Sequence, residues 1–262
     1  MSDFWQQQIE RADQLAGHSS GSKELLTFYA QLLRAQQSIY ESLRSQRDWL
    51  PSGDLENDLP VIRPLTNALL ETVAQHGPGP LATEAQHLLT VEPDDVAEQL
   101  FDYWRSPSDT HFFAKSILQP YAHWLVETRS APSGRELAGG QRTCPFCGGD
   151  PQLSVLQAKE SNSETGSRDL LCATCLSSWE FRRVICANCG EQRPEKLGYF
   201  HSPMFDHVRI EACDSCKHYL KGIDLTRLGH AVPLVDDVYS APLDLWAREH
   251  GYKKIELNLI GL

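Results

Sequence analysis

Cys144-Pro-Phe-Cys147-Gly148-Gly149, Cys172-Ala-Thr-Cys175, Cys186-Ala-Asn-Cys189-Gly190 and Cys213-Asp-Ser-Cys216 together hold all eight cysteines of this 262-residue chain. Two thiolates three positions apart close on one cation when the backbone bends into a tight knuckle. Gly148 and Gly190, each placed just after a knuckle, supply the positive φ that such a bend uses and leave backbone amides free to point at sulfur. Four pairs make up two four-cysteine sites. Between Cys147 and Cys172 lie 24 residues, between Cys189 and Cys213 lie 23, and between Cys175 and Cys186 only 10. This near-repeat favours partnering the first pair with the second and the third with the fourth. A cross-braced arrangement, first with third and second with fourth, is also compatible with the spacing.

The metal ligands expected are therefore Cys144, Cys147, Cys172, Cys175, Cys186, Cys189, Cys213 and Cys216, holding two divalent ions. Tetrahedral sulfur accepts zinc and rubredoxin-type iron alike. A redox Cys-x-x-Cys belongs at a helix N-terminus and occurs singly or in pairs, so four at regular spacing read as metal knuckles rather than dithiol catalysts. A site filled by sulfur leaves no position for water or substrate, which points to structural or electron-transfer roles. Arg142, Arg182, Arg183 and Lys217 flank the knuckles and are candidates to offset the thiolate charge. His201, His207 and His218 are candidate replacement ligands near the last pair.

Strands are expected beside the knuckles at Leu153–Gln157 and Trp179–Ile185, so that each site caps a short hairpin. Upstream, the pattern changes to helical periodicity: Leu25, Tyr29, Leu32, Leu33, Ile39, Tyr40 and Leu43 recur at helix spacing behind Ser22, a candidate N-cap. Further helices are expected over 65–76, 80–90, 93–105 and 110–129, and the aromatic residues Phe101, Tyr103, Trp104, Phe112, Phe113, Tyr121 and Trp124 read as core. The Gly- and Pro-punctuated stretch 130–140 reads as a linker. The expected fold is α+β: an all-α N-terminal domain over 1–140, then two small rubredoxin-like or zinc-ribbon modules of four cysteines each over 141–262, divided near 185.

Composition narrows the function. The net charge is −11, and acidity is concentrated in 1–140, with 10 basic against 19 acidic residues. The half from 141 onward, at −2, falls to −6 once eight thiols ionise around two divalent ions, which leaves no basic stripe for nucleic acid. No apolar run is long enough to span a bilayer and the first residues lack the apolar core of a signal peptide, so a cytoplasmic protein is expected. Gly-rich phosphate loops, Gly-x-Ser-x-Gly and His-Glu-x-x-His are absent from the sequence, and no enzyme activity is expected. Asp94-Asp95 reads as a solvated first turn of a helix. Asp236-Asp237 lacks that explanation, although adjacent aspartates are usually solvated too.

At these residues the chain resembles the formate dehydrogenase accessory protein family, FdhE. The resemblance is carried by Cys144-Pro-Phe-Cys147-Gly-Gly-Asp-Pro151 and by Cys172-Ala-Thr-Cys175 leading through Trp179 and Arg183 to Cys186-Ala-Asn-Cys189. It continues through Glu211-Ala-Cys-Asp-Ser-Cys-Lys-His-Tyr-Leu-Lys221, Asp236-Asp237, Leu243-Asp244 and Gly251-Tyr252, and is fainter upstream, at Arg11–Ala16 and Phe28–Gln36. It implies a cytoplasmic maturation factor that acts on the catalytic subunit of a formate dehydrogenase, and it suggests iron rather than zinc as the metal. Trp179 and Tyr219, beside the knuckles, read either as simple packing or as exposed contacts for that subunit. A zinc-ribbon module that binds nucleic acid or another protein, or a rubredoxin-like electron carrier, are the alternatives that knuckle spacing alone allows.

Overall fold

The computed structural model describes residues 4–18, 21–107, 111–132, 142–158 and 166–262. It divides into two units: Met1–Glu136 with Thr174–Leu176, and Leu137–Ala173 with Ser177–Leu262. The predicted linker at 130–140 falls largely outside the described residues.

The first unit is helical: α1 (Phe4–His18), α2 (Lys23–Arg44), α3 (Leu55–Ile62), α4 (Thr66–His76), α5 (Gly79–Leu88), α6 (Pro93–Arg105) and α7 (Phe112–Thr128). The long amphipathic α2 is its centre, burying Leu26, Leu32, Leu33, Ile39 and Leu43 against α1, α4 and α7. Burial of such a stripe, rather than intrinsic propensity, is what holds helices of this length. Pro93 opens α6 at the first turn, where its missing N–H costs nothing, and Asp94 and Asp95 follow in the dipole-favoured turn as expected. The aromatic residues read as core are core, with Tyr103, Trp104, Phe113 and Tyr121 buried and Phe101, Phe112 and Trp124 half-buried. Two helices, α1 and α3, lie outside the sequence-based expectation. The start of α3 is held by Asp58, a buried carboxylate that accepts from the backbone N–H of Ser52 and Gly53 and from the Tyr121 hydroxyl at 2.7 Å.

The second unit carries β1 (Pro151–Gln157), β2 (Ser167–Cys172), β3 (Ser178–Glu180), β4 (Leu197–His201), β5 (Val208–Cys213), β6 (His218–Asp224), α8 (Pro233–Tyr239), α9 (Ala241–Glu249) and β7 (Lys253–Lys254). Strand order is β3-β2-β1-β6-β5-β4, with β7 beside β6. All neighbours are antiparallel except β1 with β6 and β6 with β7. The β1–β2 and β5–β6 pairs are antiparallel hairpins beside the sulfur groups, of whose four strands only β1 is among those expected from sequence, and the parallel β1–β6 seam, Leu153 opposite Lys221 through Leu156 opposite Asp224, joins both in one sheet. The strand expected over 179–185 is shorter: it ends at Glu180, because Phe181 turns inward onto Leu170, Ala187 and Leu220 and the chain then enters the third knuckle.

Candidate metal centres

The four knuckles share one local construction. In the first, Gly148 N–H donates to the Cys144 carbonyl at 2.8 Å; in the third, Gly190 N–H donates to the Cys186 carbonyl at 3.0 Å; in the fourth, Lys217 N–H donates to the Cys213 carbonyl at 2.8 Å. The residue after each second cysteine has positive φ: Gly148 at 72°, Leu176 at 60°, Gly190 at 79° and Lys217 at 57°. Glycine reaches this region freely, whereas Leu176 and Lys217 hold it at a cost. The closed turn presents both sulfurs of a pair in one direction.

Tertiary pairing then assembles two groups of four, Cys144, Cys147, Cys172 and Cys175, and Cys186, Cys189, Cys213 and Cys216, each with all its sulfurs within 4.8 Å of one another. Cross-braced partnering is not what the fold adopts. The reason lies in the hairpins: β1 runs antiparallel to β2 with Pro151 opposite Cys172, which brings the knuckle before β1 to the one after β2. In the second group, Cys213 ends β5 and Cys216 precedes β6, and Cys186 and Cys189 meet them from the preceding loop.

The spacing fits a tetrahedral metal. A metal–sulfur bond of ~2.3 Å places tetrahedral sulfurs ~3.8 Å apart. The Sγ–Sγ separations are 3.7 Å for Cys186–Cys216 and for Cys189–Cys213, and 3.4 Å for Cys147–Cys172. The donor set is soft thiolate throughout, suited to zinc or iron. The groups differ in exposure, since all four cysteines of the first are buried whereas Cys189 is exposed and Cys216 half-buried. Burial pushes the Cys186 thiol well above its ordinary range. Burial acts the same way on Cys216, but hydrogen bonds from Asn188 and the His218 backbone bring it to about 7.

The flanking residues divide. Arg142 donates to the Asn188 carbonyl inside the third knuckle at 2.7 Å, and Lys217 pairs with Asp214 beside the fourth. Arg183 instead reaches the Gly166 carbonyl. Among the described residues His201, His207 and His218 join neither sulfur group; His218 meets the Cys216 carbonyl and His207 meets Asp236. Tyr219 is buried and donates to Asp244, so it is core rather than an exposed contact, and Trp179 packs partly buried against the Leu170–Phe181 cluster.

Asp236-Asp237 is not a solvated turn. Both residues lie on α8 with no solvent exposure. Asp236 accepts from Val232 N–H at 2.8 Å and meets His207 at 2.8 Å. Asp237 takes Lys221 and Lys254, each at 2.8 Å, with Gln152 and Asn258 at 3.0 Å, and Lys221 also reaches Asp244 at 2.5 Å. Two lysines thus offset two aspartates inside the core, as a buried pair requires. The network closes on itself and fastens α8, α9 and the chain end to β6. Its sequence signal was the polar alternation of β6, Tyr219-Leu-Lys221, ahead of paired aspartates.

Comparison with known proteins places the sulfur groups in a family. The profile described as "FdhE, central domain" matches residues 143–183, and "FdhE, C-terminal domain" matches 184–260. From residue 143 to residue 260 the chain is similar to the FdhE family. The first sulfur group lies within the stretch matched by the FdhE central domain and the second within the FdhE C-terminal domain. A Protein FdhE homolog of Aquifex aeolicus is 29% identical over 257 residues, spanning 92% of this chain and 89% of the relative. One of Pseudomonas aeruginosa is 31% identical over 159 residues, spanning 57% of this chain and 48% of the relative. The fold matches the crystal structure of the FdhE protein from Pseudomonas aeruginosa, with a TM-score of 0.71 at 23% identity over 98% of this chain and 95% of that one. No helix among the described residues is long and apolar enough to cross a membrane.

Proposed function

We propose that this protein is a cytoplasmic accessory factor that binds the catalytic subunit of a formate dehydrogenase during its maturation and does not itself oxidise formate. The observation that carries this reading is the pair of complete four-cysteine groups, at tetrahedral spacing, inside the stretch matched by the FdhE profiles. All eight cysteines act as ligands, so each bound ion has four protein donors and supplies rigidity or a one-electron couple rather than a reaction site. Held in this way, the knuckles fix the side chains on the loops between them, which is what a recognition surface needs.

The test is capture of the purified catalytic subunit by metal-loaded protein, alongside formate-dehydrogenase activity in cells that lack the accessory protein. Capture by the wild type, weakened by Cys144→Ala, together with loss of client activity in the deletion strain, is the expected result. Full client activity without this protein, or tighter binding to nucleic acid than to the subunit at physiological salt, sinks the reading.

A further inference from the structure

The sheet ends at β4, Leu197–His201, and among the described residues no strand pairs with its outer side. Asp214 N–H donates to the Lys196 carbonyl at 2.8 Å. Antiparallel alternation then turns the main-chain groups of Gly198 and Phe200 toward β5 and those of Tyr199 and His201 outward, while the Leu197 N–H donates back to the Pro194 carbonyl. Edge strands are normally guarded by charge, proline, bulges or brevity. This one contains no Lys or Pro, keeps regular register with β5 over all five residues, and exposes two aromatic side chains.

The two faces of this edge differ in chemistry. On one, Tyr199 is 41% exposed beneath the Arg209 guanidinium, 4.8 Å from its ring centre, and its hydroxyl donates to the Arg183 carbonyl at 3.2 Å. Arg209 and Arg168 share the single carboxylate of Glu211, leaving a positive excess, and exposed Arg183 adds to it. On the other face Phe200, 36% exposed, folds back over Gly198, where an added Cβ would lie 2.8 Å from the ring. Its ring lies 4.8 Å from Trp246, which stacks on His250 at 4.1 Å, with Leu245 exposed alongside on α9. A cationic face and an aromatic face thus meet along one open strand edge, on a chain whose net charge is −11.

We propose that the outer edge of β4 takes an extended segment of the client polypeptide in which acidic and apolar side chains alternate, added as a further strand. The period of two along a strand sends alternate side chains to opposite faces, so acidic residues meet Arg183 and Arg209 while apolar ones meet Phe200 and Trp246. The choice of client segment rests on the accessory reading above. The chemistry of the edge rests on the residues just named.

The test uses full-length, metal-loaded protein in two arms. The first measures binding of a labelled peptide of alternating Glu and Val, its Lys-for-Glu counterpart and a proline-interrupted control. The second measures capture of the catalytic subunit. Tyr199→Pro removes an outward donor at an edge that tolerates proline, Phe200→Asp charges the aromatic face, and Arg183→Glu reverses the cationic one. Each should weaken the acidic peptide at least tenfold while leaving two metals per chain and an unchanged far-UV spectrum, and Arg183→Glu should favour the Lys peptide. Subunit capture should fall in parallel. If the wild type captures the subunit and all three variants capture it equally, the edge proposal fails and the accessory reading stands. If the wild type captures no subunit, the accessory reading fails, and with it the client as occupant. Peptide binding insensitive to charge, or to proline in the peptide, overturns the strand-addition chemistry. A wild-type dimer in sedimentation that Tyr199→Pro dissociates assigns the edge to a second copy instead.

Discussion

Gly190 and Lys217 occupy equivalent places after the third and fourth knuckles, and both have positive φ. A Cβ at Gly190 has its nearest neighbour, an Arg142 side-chain nitrogen, at 3.9 Å, so space is open there and only the backbone conformation resists a side chain. Gly190→Ala should therefore cost about 1 kcal/mol, the left-handed penalty, without loss of metal. Chemical denaturation of the metal-loaded protein checks this, and a drop in metal content would show that the turn does more than bend. Asp237 is a second test at this scale. Burial works to raise its carboxyl, but the Lys221 and Lys254 charges hold it well below the usual carboxylate range. Asp237→Asn leaves two buried lysines short of a partner and should cost about 3–5 kcal/mol. Because the folded pKa is depressed, this contribution is present above the ordinary aspartate value of about 3.9 and is lost as pH falls through the folded one. The stability gap between wild type and variant should stay constant from pH 8 to 5 and shrink only below about pH 4. A gap that closes already at pH 6 would contradict the assignment.

Among the elements, β6 bears the most constraint, since it pairs with β1, β5 and β7. Gly222, near its end, leaves room for the Glu211 carboxylate, and an added Cβ would stand 2.7 Å from Glu211 Oε1 and 3.1 Å from Ser154 Oγ. Gly222→Ala should displace Glu211 from Arg168 and Arg209 and cost about 1–3 kcal/mol. An unchanged thermal midpoint would mean that the carboxylate can swing aside. Elements were unevenly legible in the sequence. Helices α2, α4 and α6 were plain because each carries a long apolar stripe, whereas α8 and α9 were missed. Those two bury Asp236, Asp237 and Asp244, and a helix that buries charge has no readable hydrophobic stripe.

For the molecule as a whole, the expected metal content is two ions per chain, measured by elemental analysis of protein purified anaerobically under reducing conditions. Structural zinc sites contribute folding free energy of order 10 kcal/mol, so chelation should unfold the sheet unit while the far-UV helical signal of the first unit persists. A stoichiometry near one, or loss of the helical signal on chelation, would refute this. The sequence alone determined that eight cysteines form knuckles, that those knuckles suit two four-cysteine sites, and that helices precede them, because all of these are encoded within a few residues of chain. Tertiary structure decided which knuckles meet, that a parallel β1–β6 seam makes one sheet of two hairpins, and that Asp237 is buried against Lys221 and Lys254. Those outcomes depend on strand register and on polar partners 16 to 85 residues apart, from Lys221 to Asp237 and from Gln152 to Asp237, that become neighbours only when the core closes and water leaves.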